Sequence, residues 1–179
     1  MVDYKNIKFK KRGDDVRIDD FARINYPELL ELGNHIAIDM GVYISVKGQI
    51  GDYIHIAPHV CIIGGKNASV IMEDFTNIAA GCKLIVLGDD FTKGLINPIV
   101  PMKYRQLVGG EIIMRKFSLV GVNSVVMPNI EMAEGSVLGA NSLLTKNTEP
   151  WTIYVGSPAV PKKMRDSELI LKAAKELGY

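Results

Sequence analysis

The segment MRKFSLVGVNSVVMPNIEMAEGSVLGANSLLTKNTE, from residue 114 to residue 149, repeats every six residues. Each repeat begins with a large aliphatic or thioether side chain, namely Met114, Val120, Val126, Met132, Leu138 and Leu144. Four positions later the residue is mostly small, as in Ser118, Ser124, Ser136, Ser142 and Thr148, with Ile130 as the larger exception. Neither the period of an α-helix nor that of a simple strand gives this spacing. Three repeats, each a short strand and a tight corner, make a coil of about 18 residues, so the segment predicts a parallel β-helix.

The same spacing extends towards the N-terminus. Large aliphatic residues recur every six positions from residue 32 to residue 62 and, after a short insertion at residues 64–69, again from residue 72 to residue 84. Residues one coil apart, with insertions removed, should stack on the same face of the solenoid. The predicted stacks are Ile56 with Ile78, Val120 and Leu138; Leu84 with Val126 and Leu144; and Ile50 with Met72, Met114 and Met132.

The repeats also predict how the chain is organised. We expect a single all-β domain over residues 1–179, in which the hexapeptide coils occupy residues 16–149. A solenoid needs its end covered, so residues 1–15 are expected to form an N-terminal cap. Residues 150–165 are expected to form an irregular terminal turn segment. Asp166 or Ser167 can cap a final α-helix within residues 166–179, with Gly178 as its stop.

One long insertion interrupts the coils. Leu84 and Met114 are consecutive repeat starts, yet they are 30 residues apart instead of six, so a loop over residues 88–111 leaves the solenoid. Insertions of this kind lie on one face of a solenoid, often its binding face. The loop contains proline, aromatic and aliphatic residues, which favours an ordered arm over a disordered segment.

The overall composition excludes several classes of protein. With 21 basic and 20 acidic residues, the charge gives no basis for nucleic-acid binding. No apolar run is long enough to span a membrane, and the first residues, MVDYKNIKFKKR, lack the apolar core of a secretory signal. Cys61 and Cys82 do not make a disulfide framework, and Cys82 occupies a small inward position of its repeat. These features together predict a cytoplasmic protein.

Over residues 15–165 the chain resembles the left-handed β-helix acyltransferases, a hexapeptide-repeat family. The resemblance rests on the repeats and on the segment EPWTIYVGSPAVPKKMR at residues 149–165, which is similar to the family's terminal turn followed by basic residues. Ser157 stands where that turn has asparagine. The resemblance implies a left-handed coil, a homotrimer, and acetyl-CoA or another acyl-CoA as co-substrate, without a metal.

Three further motifs resemble a narrower group within this family. They are HIAPH at residues 55–59, DDF at residues 89–91 and NPIVPMKYR at residues 97–105. Similar motifs occur in acyltransferases of polysaccharide and nucleotide-sugar pathways, including N-acyltransferases of dTDP-linked dideoxy amino sugars. The resemblance therefore implies N-acylation of a dTDP-type amino sugar in surface polysaccharide biosynthesis. One departure is that the long loop contains no histidine, whereas galactoside-type and xenobiotic-type members carry a catalytic histidine there.

The candidate catalytic residues are His55, Asp89 and Asp90. The expected reaction is attack of a sugar amine or hydroxyl on a thioester, and the nucleophile must lose a proton to a base. Because the long loop lacks a histidine, His55 is the leading candidate for this base, at a predicted corner that faces out of the core. The two aspartates could hold a sugar ammonium, accept its proton or orient His55, although Gly-Asp-Asp is also a common turn sequence. An amine that arrives neutral would need no strong base.

Four residues are candidates for substrate binding. His59 is expected to face outward near the site, and Asn77 is expected to stack over His55 in the predicted register. Tyr104 and Arg105 could grip a nucleotide or a sugar, or could simply pack the long loop. His55 and the paired aspartates are expected at different corners of one prism. Packing of three copies about a threefold axis would bring them together, as would folding of the loop back onto its own chain.

Six residues are candidates for cofactor binding. Gly121 and Gly139 follow repeat starts, and the resemblance implies that the pantetheine arm of CoA lies along the coils near such positions. Their alternative role is structural, because glycine suits a crowded corner. Four basic residues could pair with the phosphates of CoA or could form an ordinary basic surface, namely Lys146, Lys162, Lys163 and Arg165.

Three other functions fit parts of the sequence. Transfer to a sugar hydroxyl would be O-acetylation, and it would depend more strictly on His55 as the base. A hexapeptide-repeat scaffold without catalytic activity would not bind CoA. A zinc hydratase of the same fold would need three histidines at one metal ion, and the sequence offers only His35, His55 and His59.

Overall fold

The computed structural model describes residues 3, 4 and 6–179, which form a β-solenoid of three parallel sheets arranged as a triangular prism. The coil is left-handed and makes about seven turns. The chain passes from sheet A to sheet B to sheet C and then returns to sheet A one rung higher. The predicted all-β, left-handed parallel β-helix of hexapeptide repeats is confirmed.

Most of the strands are very short, because each repeat supplies only one side of the prism. Sheet A contains β1 (Lys11–Arg12), β4 (Leu30–Leu32), β7 (Lys47–Ile50), β10 (Ser69–Met72), β15 (Glu111–Met114) and β18 (Glu131–Met132). Sheet B contains β2 (Val16–Ile18), β5 (Ile36–Ile38), β8 (Ile54–Ile56), β11 (Asn77–Ile78), β16 (Leu119–Val120), β19 (Val137–Leu138), β21 (Thr152–Gly156) and β22 (Ala159–Met164). Sheet C contains β3 (Arg23–Ile24), β6 (Tyr43–Ile44), β9 (Cys61–Ile63), β12 (Lys83–Ile85), β17 (Val125–Val126) and β20 (Leu143–Leu144).

The large residues of the repeats fill the interior in continuous stacks. Ile56 pairs with Ile78, and Ile78 pairs with Val120 in the next rung. Equivalent pairs join the members of the other two predicted stacks. These inward side chains are almost completely buried, and each contributes about 2 kcal/mol by leaving water. The register predicted from residue spacing is therefore confirmed.

At two edges of the prism the chain turns through residues in the left-handed backbone region. The edge between sheets A and B uses bulky residues with φ between 51° and 62°, namely His35, Tyr53, Phe75, Phe117 and Trp151. Their rings stack along the prism with centroids 4.6–5.9 Å apart, and we call this set the aromatic edge. The edge between sheets B and C uses mostly small residues with φ between 53° and 73°, namely Gly41, His59, Gly81, Asn123 and Asn141. We call this second set the glycine–asparagine edge.

The solenoid begins earlier than the sequence predicts. β1 lies within the predicted cap of residues 1–15, yet it already pairs with β4 as part of sheet A. Before it, Tyr4 and Phe9 are buried against the end of the core, and the Tyr4 hydroxyl donates a hydrogen bond to the Ala22 carbonyl at 3.2 Å. Residues 1, 2 and 5 of the predicted cap lie outside the described residues. The hydrophobic pattern does not reveal this strand, because both of its residues, Lys11 and Arg12, are exposed and polar.

The long insertion forms an antiparallel β-hairpin. β13 (Leu87–Gly94) pairs with β14 (Arg105–Gly109), and a 3-10 turn at Met102–Tyr104 leads into β14. The hairpin follows β12 of sheet C and precedes β15 of sheet A, so it leaves the prism at the edge between those sheets. The loop predicted over residues 88–111 is thus an ordered projection, which we call the arm (residues 87–109).

The terminal segment, expected to be irregular over residues 150–165, instead extends sheet B. Leu138 pairs with Tyr154, which adds β21 beside β19, and β22 then folds back antiparallel onto β21. The expectation was wrong because these partners are 16 residues apart rather than 18, so the six-residue spacing breaks just before the last rung.

The C-terminal helix α1 (Glu168–Glu176) lies against the aromatic edge. Of the two predicted caps, Ser167 is the N-cap residue, and Asp166 directly before it accepts the Glu168 N–H at Oδ1 at 2.9 Å. Beyond the helix, Tyr179 packs edge-on against Tyr53 and Phe75, and its hydroxyl donates to Asp52 Oδ2 at 2.6 Å. None of the helices in the described part of the chain is long and apolar enough to cross a membrane.

Candidate active site

The outer face of sheet B carries the leading catalytic candidate. Side chains alternate along a strand, so a residue between two buried ones points outward. On β8 this residue is His55, because Ile54 and Ile56 on either side are buried. His55 therefore lies in the middle of a strand, and its predicted corner position is wrong. The chain bends at Tyr53, where φ is 55°, which the six-residue frame does not reveal.

The imidazole of His55 contacts a carboxylate. Its Nε2 lies 2.7 Å from Asp39 Oδ2. Ala37 of β5 is the pairing partner of His55, and Asp39 lies two residues further along, on the same face of the sheet. Among the described residues, Nδ1 of His55 has no hydrogen-bond partner. A half-exposed imidazole that is held at one nitrogen and open at the other is suited to accept a proton.

Asn77 lies beside His55 on the neighbouring strand, as the register predicts. Its Oδ1 is buried and has no hydrogen-bond partner among residues 3, 4 and 6–179. A buried acceptor without a partner costs about 1–3 kcal/mol. Asn77 Oδ1 is thus a buried acceptor without a partner, on the strand next to His55.

The other two histidines lie elsewhere on the coil. His59 is exposed on the glycine–asparagine edge, where its ring lies directly over Gly41. His35 belongs to the aromatic edge, stacks on Tyr53 and places Nδ1 3.1 Å from Asp15 Oδ2. Within the described part of the chain, no group of three or more His, Cys, Asp or Glu side chains is arranged to hold a metal ion. The arrangement gives no support to the zinc hydratase alternative.

Asp89 is engaged within the arm. The Arg105 guanidinium donates from Nε to Asp89 Oδ1 at 2.8 Å and from Nη2 to Oδ2 at 3.1 Å. Both side chains are nearly buried, with exposed fractions of 12% for Asp89 and 13% for Arg105. This two-point ion pair joins β13 to β14, so it fixes the shape of the arm. Asp89 and Arg105 are thus each other's partners within the arm. The catalytic role predicted for Asp89 and the substrate-binding role predicted for Arg105 stay predictions.

Asp90 and Tyr104 are more accessible. Asp90 Oδ1 accepts hydrogen bonds from the Thr92 hydroxyl at 2.6 Å and the Thr92 N–H at 2.9 Å. These bonds lower the pKa of the Asp90 carboxyl, so it is ionised at neutral pH and is better suited to hold an ammonium than to take its proton. Tyr104 is exposed, with Lys103 Nζ 4.8 Å from the centre of its ring.

The arm and His55 do not meet within one chain. His55 faces outward from sheet B, whereas the arm leaves the edge between sheets C and A, which lies opposite sheet B in a triangular prism. The arm also exposes many large apolar side chains: Phe91, Leu95, Ile96, Ile99, Met102, Leu107 and Val108. Exposed fractions of 88% for Ile99 and 76% for Phe91 are typical of a surface that another molecule covers.

The two candidate cofactor glycines are packed inside the coil. The Gly121 N–H donates to the Leu138 carbonyl at 2.7 Å, and the Gly139 N–H donates to the Tyr154 carbonyl at 2.8 Å. A Cβ on Gly121 would lie 2.6 Å from the Leu138 carbonyl oxygen, so only glycine fits there. These contacts account for both glycines structurally, and their backbone N–H groups are not open to pantetheine.

The four basic candidates differ in availability. Arg165 donates to the carbonyl oxygens of Phe117 at 2.7 Å and Gly135 at 3.0 Å, and burial lowers the pKa of its guanidinium. It is therefore engaged in holding the terminal hairpin. By contrast, Lys146, Lys162 and Lys163 are exposed and remain candidates for contact with CoA phosphates.

One functional candidate, Asp39, does not follow from the sequence analysis. The spacing of the sequence nevertheless indicates it. Ala37 lies one coil before His55, and Asp39, two residues after Ala37, lies on the same face of the sheet. The six-residue spacing relates only residues in direct register, whereas Asp39 and His55 are diagonal neighbours in adjacent strands.

No protein-family model matches the chain. Its sequence is similar to dTDP-4-amino-4,6-dideoxy-D-glucose acyltransferase from Escherichia coli, with 31% identity over 94% of this chain and 89% of that protein. It is less similar to a putative lipopolysaccharide biosynthesis O-acetyl transferase from Escherichia coli K12, with 24% identity over 96% of this chain and 87% of that protein.

The fold is similar to that of AntD, an N-acyltransferase from Bacillus cereus. The TM-score is 0.92 at 32% sequence identity, and the match covers 97% of this chain and 93% of AntD. AntD has been crystallised with dTDP and 3-hydroxybutyryl-CoA, and a variant of it with dTDP-4-amino-4,6-dideoxyglucose and coenzyme A. The solenoid of AntD therefore accommodates a dTDP-linked amino sugar and a CoA molecule.

Proposed function

This chain belongs to the left-handed β-helix acyltransferases, and on that premise we propose that it transfers an acyl group from acyl-CoA to the amino group of a dTDP-linked amino sugar. The observation that carries the proposal is the likeness to AntD along nearly the whole of both chains. The E. coli relative, whose name specifies a dTDP-4-amino-4,6-dideoxy sugar, supports the same class of acceptor. Acetyl-CoA and longer acyl-CoA molecules are both candidates for the donor.

In the proposed reaction the sugar nitrogen attacks the carbonyl carbon of the thioester. The carbon–sulfur bond then breaks, CoA leaves as the thiolate, and the proton lost by nitrogen reaches the thiolate sulfur. We assign the transfer of that proton to His55 Nδ1; the support is that Asp39 holds Nε2, that no described residue bonds Nδ1, and that the side chain is half-exposed. We assign Asn77 to the acceptor sugar because it lies on the strand next to His55 and its Oδ1 has no hydrogen-bond partner among the described residues. Asp90, which is ionised and partly exposed, is available to hold the ammonium before it loses its proton.

The site is completed, in this proposal, by a second copy of the chain within a homotrimer. The arm and sheet B lie on opposite sides of one prism, so the arm of one copy can reach the outer face of sheet B only in a neighbour. The exposed apolar side chains of the arm, such as Ile99 and Phe91, support such a contact. A homotrimer brings Asp90, Tyr104 and His59 to the same cleft as His55.

CoA needs a basic contact for its phosphates, and Lys146, Lys162 and Lys163 are the exposed candidates near the end of the coil. We place the enzyme in the cytoplasm, where acyl-CoA is made and where its two free cysteines, Cys61 and Cys82, stay reduced. A dTDP-linked sugar is an activated glycosyl donor, so we assign the product to the assembly of a surface polysaccharide. No metal is needed for this chemistry.

The test is thiol release from acetyl-CoA and 3-hydroxybutyryl-CoA in the presence of a panel of dTDP-linked amino sugars. We expect turnover with one amino sugar, and a fall of about 100-fold or more in His55→Ala. His35→Ala is the matched control, since it also removes an exposed histidine that is paired with an aspartate. Asp90→Asn should raise KM for the amino sugar, and Asp89→Asn should destabilise the arm.

The likeness to the E. coli O-acetyl transferase over 96% of the chain keeps O-acetylation of a sugar hydroxyl as the second candidate. A hydroxyl is less nucleophilic than a neutral amine, so this reaction would depend more strictly on His55. Turnover on hydroxyl acceptors but on no amine would replace the proposed function with this one. If the protein did not bind CoA at all, the proposed function would be replaced by that of a non-enzymatic hexapeptide-repeat scaffold.

A further inference from the structure

Two aspartates occupy equivalent positions in consecutive rungs of sheet B but do different things. The Asp19 N–H donates to the Ile38 carbonyl, and the Asp39 N–H donates to the Ile56 carbonyl in the same way one rung later. Asp19 uses its side chain for the local turn, since Oδ1 accepts the Phe21 N–H at 2.8 Å. Asp39 makes no such turn bond, and its carboxylate instead reaches across to His55 at 2.7 Å.

The surroundings allow this contact to fix the ring. The residue opposite His55 is Ala37, whose small side chain leaves the imidazole room to lean towards Asp39. The backbone of Asp39 is anchored by its N–H bond to Ile56 and by a bond from the Val42 N–H to its carbonyl at 3.4 Å. Within the described ranges, the Asp39 side chain has no other partner, so its carboxylate is committed to His55.

We propose that Asp39 is a positioning residue for acyl transfer, which accepts the Nε2 hydrogen of His55 and thereby presents Nδ1 as the proton acceptor. This inference rests on the proposed function, because His55 acts as a base only where an acceptor binds at this face. A carboxylate in this place holds one tautomer of the imidazole and stabilises the imidazolium formed when Nδ1 takes the proton. The nucleophile's proton goes to Nδ1 and is later returned to the leaving thiolate, so Asp39 itself exchanges none.

Few charged or titratable groups compete with this pair. On the strand at the other side of β8, the neighbour of His55 is the neutral Asn77. The groups on the adjoining elements are Asp39 itself and, further away, Arg17, Asp19 and His59, and the proposed homotrimer adds Asp90 from a neighbouring copy. Removal of the Asp39 charge should therefore act on His55 directly, without a second carboxylate in contact to replace it.

The experiment compares Asp39→Asn, Asp39→Glu and Asp15→Asn with the parent enzyme. In Asp39→Asn we expect kcat to fall about 10- to 100-fold, with KM for both substrates within about twofold of the parent. Asp39→Glu should restore part of the lost kcat, because it returns a carboxylate to this place. Asp15→Asn breaks the equivalent pair at His35 and should change neither quantity.

Nitrogen-15 NMR of the histidine rings provides a readout that does not depend on turnover. The parent should show His55 as the tautomer with hydrogen on Nε2, and Asp39→Asn should show a mixture of the two tautomers. An unchanged kcat and an unchanged tautomer in Asp39→Asn would overturn the inference while the acyltransferase function stood. If His55→Ala were fully active, the positioning role would also fall, and the absence of any acyl transfer in the parent would remove the proposed function itself.

Discussion

The aromatic edge and the glycine–asparagine edge share a backbone conformation but not a chemistry. At both edges the chain turns through residues with positive φ, which costs a bulky residue about 1–2 kcal/mol relative to glycine. Glycine and asparagine tolerate this region with little cost. On the aromatic edge each stacked pair of rings contributes about 0.5–1.5 kcal/mol, which offsets much of that strain.

The two edges differ because the covering of an edge selects its side chains. The aromatic edge is covered in part by α1 and by Tyr179, so Phe117 is buried there and Phe75 is partly buried, and both gain from packing. No helix of the described chain covers the glycine–asparagine edge, where small residues let successive rungs approach closely. Sheet B, whose outer face carries His55, lies between the two edges. One of its sides is packed against α1, and the other is not covered by a helix of the described chain. The following predictions test this contrast.

The largest expected effect is on the aromatic edge at Phe117. This ring stacks on Phe75 and Trp151 and is 8% exposed. Phe117→Ala removes both stacks and leaves an alanine at a φ of 62°, so we expect a loss of about 3 kcal/mol in unfolding free energy. Urea denaturation followed by circular dichroism at fixed protein concentration measures it. A loss below about 1 kcal/mol would mean that the stack contributes little.

Gly135 should give the next largest effect. It occupies a turn of the aromatic edge at a φ of 67°, and the ring of Trp151 lies over it where a Cβ would be. Gly135→Ala should therefore cost about 2 kcal/mol, from strain and from displacement of that ring. Gly65→Ala is the matched control, because Gly65 has a φ of 83° but nothing within 4 Å of a Cβ. Equal costs at the two sites would show that backbone strain alone decides the effect.

On the glycine–asparagine edge the expected effects are smaller. Asn141→Ala places a side chain with no local hydrogen-bonding capacity at a φ of 53°, so we expect a loss of about 1 kcal/mol. Asn141→Gly should change the unfolding free energy by less than about 0.5 kcal/mol, since glycine adopts this conformation freely. The same urea titrations apply. A large loss in Asn141→Gly would reveal a side-chain contact that the turn geometry does not require.

The smallest expected effect concerns the covering of the aromatic edge. The hydrogen bond to Asp52 raises the pKa of Tyr179 to about 12, whereas a tyrosine in an unfolded chain titrates near pH 10. The stabilisation from this bond is therefore complete below about pH 10 and is lost as the pH rises towards 12. Tyr179→Phe should speed amide hydrogen exchange in α1 at neutral pH and leave exchange in the three sheets unchanged.

An absorbance titration of tyrosinate completes this test, because the parent should contain one late-titrating tyrosine that Tyr179→Phe lacks. Tyr104→Phe is the control, since Tyr104 is exposed on the arm. Faster exchange throughout the sheets of Tyr179→Phe would contradict a role confined to the helix.

Much of the fold follows from the sequence because the solenoid is nearly one-dimensional. Each rung contacts only its neighbours, so counting residues places Ile56 under Ile78 and Val120 without knowledge of any long-range packing. The same count would have placed Tyr53, Phe75 and Phe117 in one stack. That stack was missed because aromatic residues at positive φ are rare, and the sequence alone does not mark those positions as turns.

The candidate site was predicted less well, for two physical reasons. The six-residue spacing identifies the inward positions but not the residue at which the chain turns the corner of the prism. It therefore places His55 at a corner, whereas the chain turns two residues earlier, at Tyr53. Its partner Asp39 lies diagonally across two strands, at a separation of 16 residues that no repeat marks. Asp89 and Arg105 pair across the hairpin of the arm. The arm contains no hexapeptide repeats, so its strand register depends on turn geometry and cannot be obtained by counting residues.

The position of Trp151 has a practical consequence. It is the single tryptophan of the sequence, and it stacks on Phe117 beneath the Arg165 guanidinium in the final coil. Intrinsic fluorescence therefore reports on the C-terminal rungs alone, whereas far-ultraviolet dichroism averages over every rung. An emission change that precedes the loss of dichroism on heating would show that this solenoid frays from its C-terminal end before the remainder melts.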